Sequence, residues 1–280
     1  MLRTSPVRVL SDRDVPEALA VCGRDPVANV FVASRVAAVG LDSWRLGAEV
    51  WGHVVDGRLE SLCFAGANLV PVQADEEAAR AFAGRARRSG RRCSSIVGPA
   101  DAVEVMWQVL EPSWGPARDV RIRQPLMAID DPPLVPADPA VRQVSPRELD
   151  VVLPACVAMF TEEVGVSPAA GDGGILYRAR VAELINQGRS FARIEDGVVV
   201  FKAEIGAASS VACQVQGVWV NPERRGEGLG TAGTAAVVEL ARRQIAPVVS
   251  LYVNDYNLAA RRAYERVGFR EVGMFASVLF

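Results

Sequence analysis

The stretch GVWVNPERRGEGLGTAG, residues 217–233, contains two phosphate-loop patterns at once. Gly228, Gly230 and Gly233 spell G-x-G-x-x-G, the pattern of a dinucleotide-binding turn between a strand and a helix. From Arg225 the same letters spell R-x-x-G-x-G. Either pattern exposes backbone N–H groups at a helix N-terminus, where a phosphate group is bound favourably. The stretch therefore predicts a strand, a phosphate-binding loop and a helix, which are elements of an α/β fold.

The dinucleotide pattern fits the surrounding sequence in one respect and fails in two. Asp255 lies 22 residues after Gly233, near where a ribose-binding acid belongs. However, the pattern belongs to the first strand of a nucleotide-binding unit, and the 47 residues after Gly233 are too few to complete one. Seven residues also separate the predicted strand end at Val220 from Gly228. In a dinucleotide-binding turn the first glycine follows the strand immediately. A nucleotide-dependent oxidoreductase is therefore the weaker interpretation.

Composition excludes several classes of partner. The 31 basic and 33 acidic residues nearly balance, so charge gives no reason to expect binding to nucleic acid or an anionic membrane. No apolar run approaches the ~18 residues of a membrane span. The first twenty residues lack an apolar signal core, which predicts a cytoplasmic protein.

Residues suited to metal binding are scarce. His53 is the only histidine, and the five cysteines are scattered without a C-x-x-C pair. We expect reduced thiols, no metal and no histidine-based triad. Lys202 is the only lysine among the basic residues, which we interpret as a compositional bias.

The chain divides into two halves that begin alike. Residues 130–139, DDPPLVPADP, are unsuited to a helix or a central strand and predict a linker. Before and after it, VRVLSDRDVPEALAVC and VRQVSPRELDVVLPAC align at an offset of 134, with six of sixteen positions identical. Such a long period indicates domain duplication. We predict domains at 1–130 and 140–280, joined by a linker at 131–139.

Both halves are predicted to alternate strands and helices. A capping box with proline at the first helical position is predicted at 145–148. In the first half we predict strands at 7–10, 48–55, 58–64, 68–72, 94–97 and near 118–129, and helices at 13–22, 26–39, 75–89 and 99–110. In the second half we predict strands at 140–144, 190–194, 198–205, 217–220 and 248–253 and a last strand pair, with helices to about 163 and at 175–187, 229–244 and 257–267.

A second motif follows the loop and, together with it, resembles a known family. Asn257, Ala260, Tyr264, Gly268 and Phe269 spell N-x-x-A-x-x-x-Y-x-x-x-G-F, with the asparagine and tyrosine two helical turns apart on one face. GVWVNPERRGEGLG followed by NLAARRAYERVGF resembles the GNAT superfamily of acyl-CoA-dependent N-acyltransferases. The layout also resembles actinobacterial tandem GNAT proteins with a poorly characterised N-terminal domain. The resemblance implies an α/β (α+β) protein of two tandem GNAT-like domains, each a twisted mixed sheet flanked by helices.

The resemblance also implies where acetyl-CoA binds. Val218, Trp219 and Val220 would form a bulged strand whose backbone bonds the pantetheine arm and stabilises the oxyanion. Asn257 would contact the cofactor, and Tyr264 would protonate the departing thiolate. The loop that would bind the pyrophosphate consists of Arg225, Gly226, Glu227, Gly228, Leu229, Gly230 and Thr231.

The acid groups on the acceptor side are less clearly indicated. Some relatives carry an acid five residues before the motif asparagine, but this chain has Tyr252 there. Glu204, at the end of the preceding strand, is the candidate general base. Glu162 and Glu163 fall where the family borders its acceptor and are candidates for binding an ammonium group; solvated helix-end acids are the alternative for both.

The first half departs from the family pattern. The strand predicted at 68–72 is followed by residues 73–77, QADEE, which contain no glycine and three carboxylates that would repel a pyrophosphate. We expect a degenerate GNAT-like domain that is structural or forms a wall of the acceptor site.

The sequence therefore predicts an N-acetyltransferase that transfers acetyl from acetyl-CoA to a primary amine by direct attack in a ternary complex. The acceptor is a small molecule or a protein or peptide, and the oligomeric state stays open. The alternative is a non-catalytic acyl-CoA-binding sensor or interaction protein, favoured by the missing acid at Tyr252.

Overall fold

A computed structural model describes residues 7–170 and 173–280 and contains the following elements. In chain order they are β1 (Val7–Val9), α1 (Val15–Cys22), α2 (Val30–Val39), α3 (Ser43–Leu46), β2 (Glu49–Val55), β3 (Arg58–Ala65), β4 (Asn68–Val72), α4 (Glu76–Ser89), β5 (Ser95–Pro99), α5 (Ala100–Trp114), β6 (Asp119–Ile129), β7 (Arg142–Gln143), α6 (Leu149–Val164), α7 (Ile175–Asn186), β8 (Ser190–Glu195), β9 (Val198–Ala208), β10 (Ala212–Val220), α8 (Leu229–Gln244), β11 (Val248–Tyr252), α9 (Leu258–Val267) and β12 (Arg270–Leu279).

Two compact units divide the chain without following its order. The first comprises residues 7–127 with Tyr252–Tyr256 and Glu271–Phe280, and the second comprises Ala128–Leu251 and Asn257–Arg270. The C-terminal strand β12 therefore belongs, apart from its first residue, with the first half of the chain. The domain boundaries given above for the sequence stay a prediction.

The first unit contains a mixed sheet with helices on both faces. Its strand order is β1-β2-β3-β4-β5-β12-β6, and β4 and β5 are parallel, whereas the pairs β1–β2, β2–β3, β3–β4 and β5–β12 are antiparallel. On one face α4 and α5 bury Phe82 and Met106 against the sheet. On the other face α1 and α2 bury Val21 and Val36. Strands β2, β3 and β4 are buried along most of their length because successive side chains point to opposite faces and helices cover both.

The second unit repeats this arrangement on a smaller scale. Its strand order is β7-β8-β9-β10-β11, with a parallel β10–β11 pair and antiparallel pairs elsewhere. Helices α6 and α7 cover one face with residues such as Cys156 and Val181. Helix α8 packs on the other face, where Gly233 lies against the ring of Phe201. The predicted α/β fold, with mixed strand directions and flanking helices, is thus confirmed, although the strands of both halves belong to one 12-stranded mixed sheet.

The duplicated sequence at the start of each half has the same structure in both. Arg8 donates two hydrogen bonds to Asp14, at 3.0 and 2.6 Å. Arg142 donates two to Glu148, at 2.8 and 2.6 Å. In both cases the acid ends a capping box before the first long helix, which confirms the box predicted at 145–148. The sequence match therefore reflects a repeated structural unit.

Three expectations about single elements were wrong. Helix α2 begins at Val30 and not at residue 26, because the Asp25 carboxylate accepts from the N–H groups of Val27 and Ala28 and forms a turn there. Helix α3 is an additional element. The last strand pair is the single strand β12, since the chain passes Gly273 without the left-handed conformation that a tight hairpin turn requires.

The proline-rich segment packs onto the second unit. Leu134 N–H donates to the Val267 carbonyl at 2.9 Å, and Asp138 N–H donates to the Ala232 carbonyl at 3.0 Å. The buried Asp138 carboxylate also accepts from Arg193 at 2.8 Å. This segment is therefore held by specific contacts to α8, α9 and β8.

Candidate active site

Strand β10 carries a β-bulge beside β9. After Gln216, which lies opposite Glu204, the register shifts, and Gly217 and Val218 together oppose one residue of β9. Gly217 has φ of +59°, and a Cβ built on it would lie 2.9 Å from the Met159 side chain. Glycine is therefore favoured at this position by its conformation, and a Cβ would also displace the terminal methyl group of Met159. The bulge lies at the start of the strand segment predicted to bind a pantetheine arm.

Strand β10 separates from β11 before it reaches the bulge. The parallel register begins at Ala212 and ends at Gln214, opposite Ser250. Within the residues that the structure describes, 215–220 have no register partner on β11. The backbone groups of this segment that face away from β9 are thus able to pair with an extended ligand.

The loop after β10 is shaped by a short turn and two glycines. Asn221 begins a 3-10 turn, and its side chain accepts from the Glu223 N–H at 3.1 Å. Gly226 and Gly228 have φ of +88° and +84°, in the left-handed region where residues with a Cβ are strained. Gly228 is also the N-cap of α8. The local sequence therefore turns the chain directly into the first turn of this helix.

This loop presents a cluster of free backbone donors. In the described part of the chain, the N–H groups of residues 226–230 donate to no acceptor. A Cβ added at Gly226 or Gly228 would meet no atom within 4 Å, so the space in front of the loop is open. Free donors, a helix dipole and the absence of side chains fit the pyrophosphate of an acyl-CoA.

Ion pairs hold the charged side chains of the loop. The Arg225 guanidinium donates to Glu162 at 2.7 Å, and Trp219 Nε1 donates to the other Glu162 oxygen at 3.2 Å. Arg224 donates to Glu227 at 2.8 Å. Both carboxylates therefore pair with arginines of the loop itself. Glu162 was predicted to bind the acceptor and Glu227 the cofactor. The Arg225–Glu162 pair is about half exposed and stabilises the loop weakly.

Asn257 and Thr231 have local structural contacts as well. Asn257 is the exposed N-cap of α9, and its side-chain oxygen accepts from the Ala260 N–H at 3.2 Å. Thr231, half-buried in α8, donates its backbone N–H to the Gly228 carbonyl at 3.1 Å. The cap fixes where α9 begins and hence the orientation of the helix that carries Tyr264.

The Tyr264 phenol is buried and lies within the electrostatic influence of one candidate acid. Its side chain is 7% exposed, and its ring centre lies 5.9 Å from that of Phe269. Burial, and secondarily the negative charge of Glu163, raise the pKa of Tyr264 above its usual value. Glu163, exposed near the end of α6, also acts on Tyr177. The structure thus brings Glu163 and Tyr264 to one region of the second unit.

Glu204 is buried in a charged pair that the sequence did not predict. Its Oε1 accepts from the Lys202 ammonium at 2.6 Å and from the Cys156 thiol at 3.4 Å. Burial is the largest single influence on the pKa of Lys202 and lowers it, but Glu204 and Cys156 together raise it more, so the net direction is upward. The chain's only lysine is 1% exposed, and its interpretation as a compositional bias missed this contact. Its alternation with Glu204 on an apolar strand was the available signal.

Strand directions argue against the dinucleotide pattern. Strand β10 is antiparallel to β9, whereas a dinucleotide unit is built on parallel strands. The third glycine, Gly233, serves packing, because a Cβ on it would lie 2.7 Å from the Phe201 ring. Tyr252, at the position of the missing acid, lies in the first unit with its ring centre 5.4 Å from that of Phe275.

Across residues 7–170 and 173–280, no three His, Cys, Asp or Glu side chains gather as a metal-binding group. No helix in these ranges combines the length and apolar character needed to span a bilayer.

Comparisons with known proteins place both halves. Residues 177–269 match the Acetyltransferase (GNAT) family, and residues 48–152 match a domain of unknown function, DUF4081. A search of curated proteins finds no match.

Several solved structures resemble the whole chain. A tandem GNAT protein from the clavulanic acid biosynthesis pathway is 16% identical, with a TM-score of 0.58 and 98% of each chain covered. A GCN5-related N-acetyltransferase from Sphaerobacter thermophilus is 18% identical, with a TM-score of 0.58, covering 98% of this chain and 95% of that one. A GNAT-family acetyltransferase from Colwellia psychrerythraea is 12% identical, with a TM-score of 0.57, covering 98% and 99%. At these identities the likeness concerns the fold alone.

Proposed function

Because residues 177–269 match the GNAT acetyltransferase family and residues 48–152 match DUF4081, we propose that the second unit transfers an acetyl group from acetyl-CoA to a primary amine. The observation that carries the proposal is the set of free N–H groups at residues 226–230, at the N-terminus of α8. The open edge of β10 leads directly into this loop. A long ligand with an anionic end suits that arrangement.

The second unit would hold the donor by its backbone. The N–H groups of residues 226–230 bind the pyrophosphate, and residues 218–220 pair with the pantetheine arm as an added strand. When bound, acetyl-CoA supplies a thioester whose carbonyl carbon is attacked by the amine. A backbone N–H of residues 218–220 stabilises the negative charge that develops on the thioester oxygen.

Two side chains would handle protons. Tyr264 donates its phenolic proton to the sulfur that leaves, and its raised pKa keeps the phenol protonated at neutral pH. Glu204 accepts the proton that the amine nitrogen releases. Attack in a ternary complex follows because no cysteine is activated as a nucleophile; burial raises the pKa of Cys156 to about 11.

One observation favours a second candidate, an acyl-CoA-binding sensor without catalysis. Glu204 and Glu162 are both engaged in ion pairs, so two of the three acids proposed for the acceptor side have basic partners within the protein. A sensor would bind acetyl-CoA through the same loop and would release no thiol with any acceptor.

The variant Tyr264→Phe tests the enzyme. The ring and its packing are kept, but the proton donor is lost, so thiol release from acetyl-CoA should slow by roughly 10²- to 10⁴-fold where chemistry limits the rate. Acceptors would be a panel of primary amines and a protein extract. CoA affinity, measured by calorimetry, should barely change because the loop is untouched.

Tyr256→Phe is the matched control, since Tyr256 is 67% exposed and should leave the rate unchanged. A Tyr264→Phe protein with wild-type kcat would make Tyr264 a packing residue. Tight CoA binding without thiol release by the wild-type protein would favour the sensor.

A further inference from the structure

Two charged side chains lie inside the apolar contact between β9 and α6. Lys202 and Glu204 are two residues apart on β9, so both point to the α6 face. Their side chains are 1% and 5% exposed. Cys156 and Met159 of α6, together with the bulge at Gly217, surround them. A buried charge is tolerated only when it is paired, and each of these charges has the other as its partner.

The two oxygens of Glu204 have different surroundings. Oε1 accepts from the Lys202 ammonium and the Cys156 thiol. Among the described residues, Oε2 accepts from no donor. A Cβ built on Gly217 would lie 3.4 Å from Oε2 and 3.2 Å from the Lys202 nitrogen, so the free oxygen faces the bulge. The pair therefore presents one carboxylate oxygen to the strand proposed to hold the thioester.

An isolated carboxylate at this depth would not stay ionised. Burial favours the neutral form of an acid, and an opposite charge within hydrogen-bond distance favours the ionised form. A neutral carboxyl group cannot accept a proton from an amine. A base at this site thus requires a neighbouring positive charge, and Lys202 is the group in contact.

Resting on the function proposed above, we propose that Lys202 is a positioning residue that keeps Glu204 ionised and turns Oε2 toward the bulge to accept the proton of the acceptor amine. The amine nitrogen forms a bond to the carbonyl carbon as the carbon–sulfur bond breaks. Its proton passes to Oε2, while Tyr264 protonates the sulfur. Solvent then restores both side chains to their starting states.

The pH dependence also involves the titratable groups packed around the pair. These are Cys156 and Glu163 of α6 and Tyr177 of α7, whose hydroxyl donates to the Cys156 carbonyl at 2.9 Å. Burial raises the pKa of the Cys156 thiol to about 11, and the pKa of the Tyr177 phenol is raised as well. Below pH 9 the thiol and the phenol stay neutral, and Glu163 is present in every variant, so a difference between the variants at neutral pH reports Glu204.

Three variants test the inference by stability: Lys202→Met, Glu204→Gln and the double variant, which removes both charges. In Lys202→Met the pKa of Glu204 should rise above its unfolded value of about 4.3. The protonated Glu204 then contributes its full stabilisation to the folded protein below that value. This contribution is lost as pH rises through the folded pKa. Relative to wild type, the unfolding equilibrium constant should increase at least ~10-fold between pH 5 and pH 8.

The double variant is the matched control and should show the wild-type pH dependence. If Lys202→Met unfolds at neutral pH, its recovery at pH 5 and the intact fold of the double variant still report the charge effect. A ratio of unfolding constants that is constant from pH 5 to pH 8 would overturn the claim that Lys202 keeps Glu204 ionised.

Activity separates positioning from a purely structural role. With acetyl-CoA and the best amine of the panel, the acid limb of kcat/KM in Lys202→Met should move up by ~1–3 pH units. The double variant should transfer acetyl ~10²- to 10⁴-fold more slowly, with unchanged CoA affinity. A uniformly lower profile without a shift would overturn the positioning role. An inactive wild-type protein would overturn the proposed function and the proton transfer, while the stability series would still decide the ion pair.

Discussion

The turns that follow β4 and β10 occupy equivalent places in the two units and differ in what caps the next helix. Each strand has an antiparallel neighbour on one side and a parallel neighbour on the other. After β4, the N-cap of α4 is Asp75, whose carboxylate accepts from the Ala78 N–H at 2.9 Å. After β10, the N-cap of α8 is Gly228, and the first N–H groups stay free. In the first unit a carboxylate of the protein thus occupies the helix N-terminus, whereas in the second unit the equivalent position is open to a phosphate.

The strands before these turns differ in the same direction. The register of β3 with β4 runs from Leu62 to Ala65 without a shift, whereas β9 with β10 shifts at the bulge. Within residues 62–78, the β3–β4 pair therefore lacks the bulge, and the turn after β4 lacks the open loop. This supports the proposal that only the second unit binds acetyl-CoA.

The largest expected effect comes from giving the second turn the capping residue of the first. Gly228→Asp would place a carboxylate at the N-terminus of α8, against the pyrophosphate. We expect the Kd for CoA to rise by ~100-fold or more, since charges a few ångströms apart repel by several kcal/mol near a protein surface. Calorimetry at low salt measures the loss.

Gly228→Asn is its matched control, with the same size, a similar tolerance of the left-handed conformation and no charge. It should weaken binding less, and the gap between the two variants should narrow in high salt. Equal Kd values for the two variants would mean that shape and not charge distinguishes the two turns.

A smaller effect is expected from removing the cap of the first turn. Asp75→Ala should lower the free energy of unfolding by ~1 kcal/mol, the usual cost of losing an N-cap, as measured by urea denaturation. Asp75→Asn should be nearly neutral because asparagine caps as well as aspartate. CoA binding should stay at one per chain in all three proteins, and a second site in Asp75→Ala would refute the degenerate character of the first unit.

The sequence predicted elements and motifs well where the pattern was local. The glycines of the loop, the capping box at 145–148 and most helices follow from spacing alone. It could not predict that β12 belongs with the first half, because strand pairing is decided by contacts far apart in sequence. Nor could it predict that Cys156 contacts Glu204 or that Arg225 pairs with Glu162, since α6 meets the strand and the loop only in the folded chain.

The smallest expected effect concerns the capping boxes that open both halves. Hydrogen bonds from the Arg142 side chain and the Ser145 N–H lower the pKa of Glu148 to about 2. The stabilisation is thus present above the unfolded value of about 4.3 and is lost as pH falls through about 2. Because Arg142 is about half exposed, Arg142→Met should cost only ~0.2–1 kcal/mol at pH 7.

Arg8→Met, which removes the equivalent bond to Asp14, should have a similar cost at pH 7, because the pKa of Asp14 is also lowered, chiefly by its hydrogen bond from Arg8. Urea denaturation from pH 2 to pH 7 would follow both variants against wild type. The loss in Arg142→Met should be small at pH 2 and constant above pH 5, whereas part of the loss in Arg8→Met should remain at pH 2, because the pKa of Asp14 is lowered further than that of Glu148. A loss of equal size at every pH would show that the arginines act by packing their aliphatic stems and not by charge. Different losses in the two variants at pH 7 would show that the two capping boxes, alike in sequence and structure, differ in their contribution to stability.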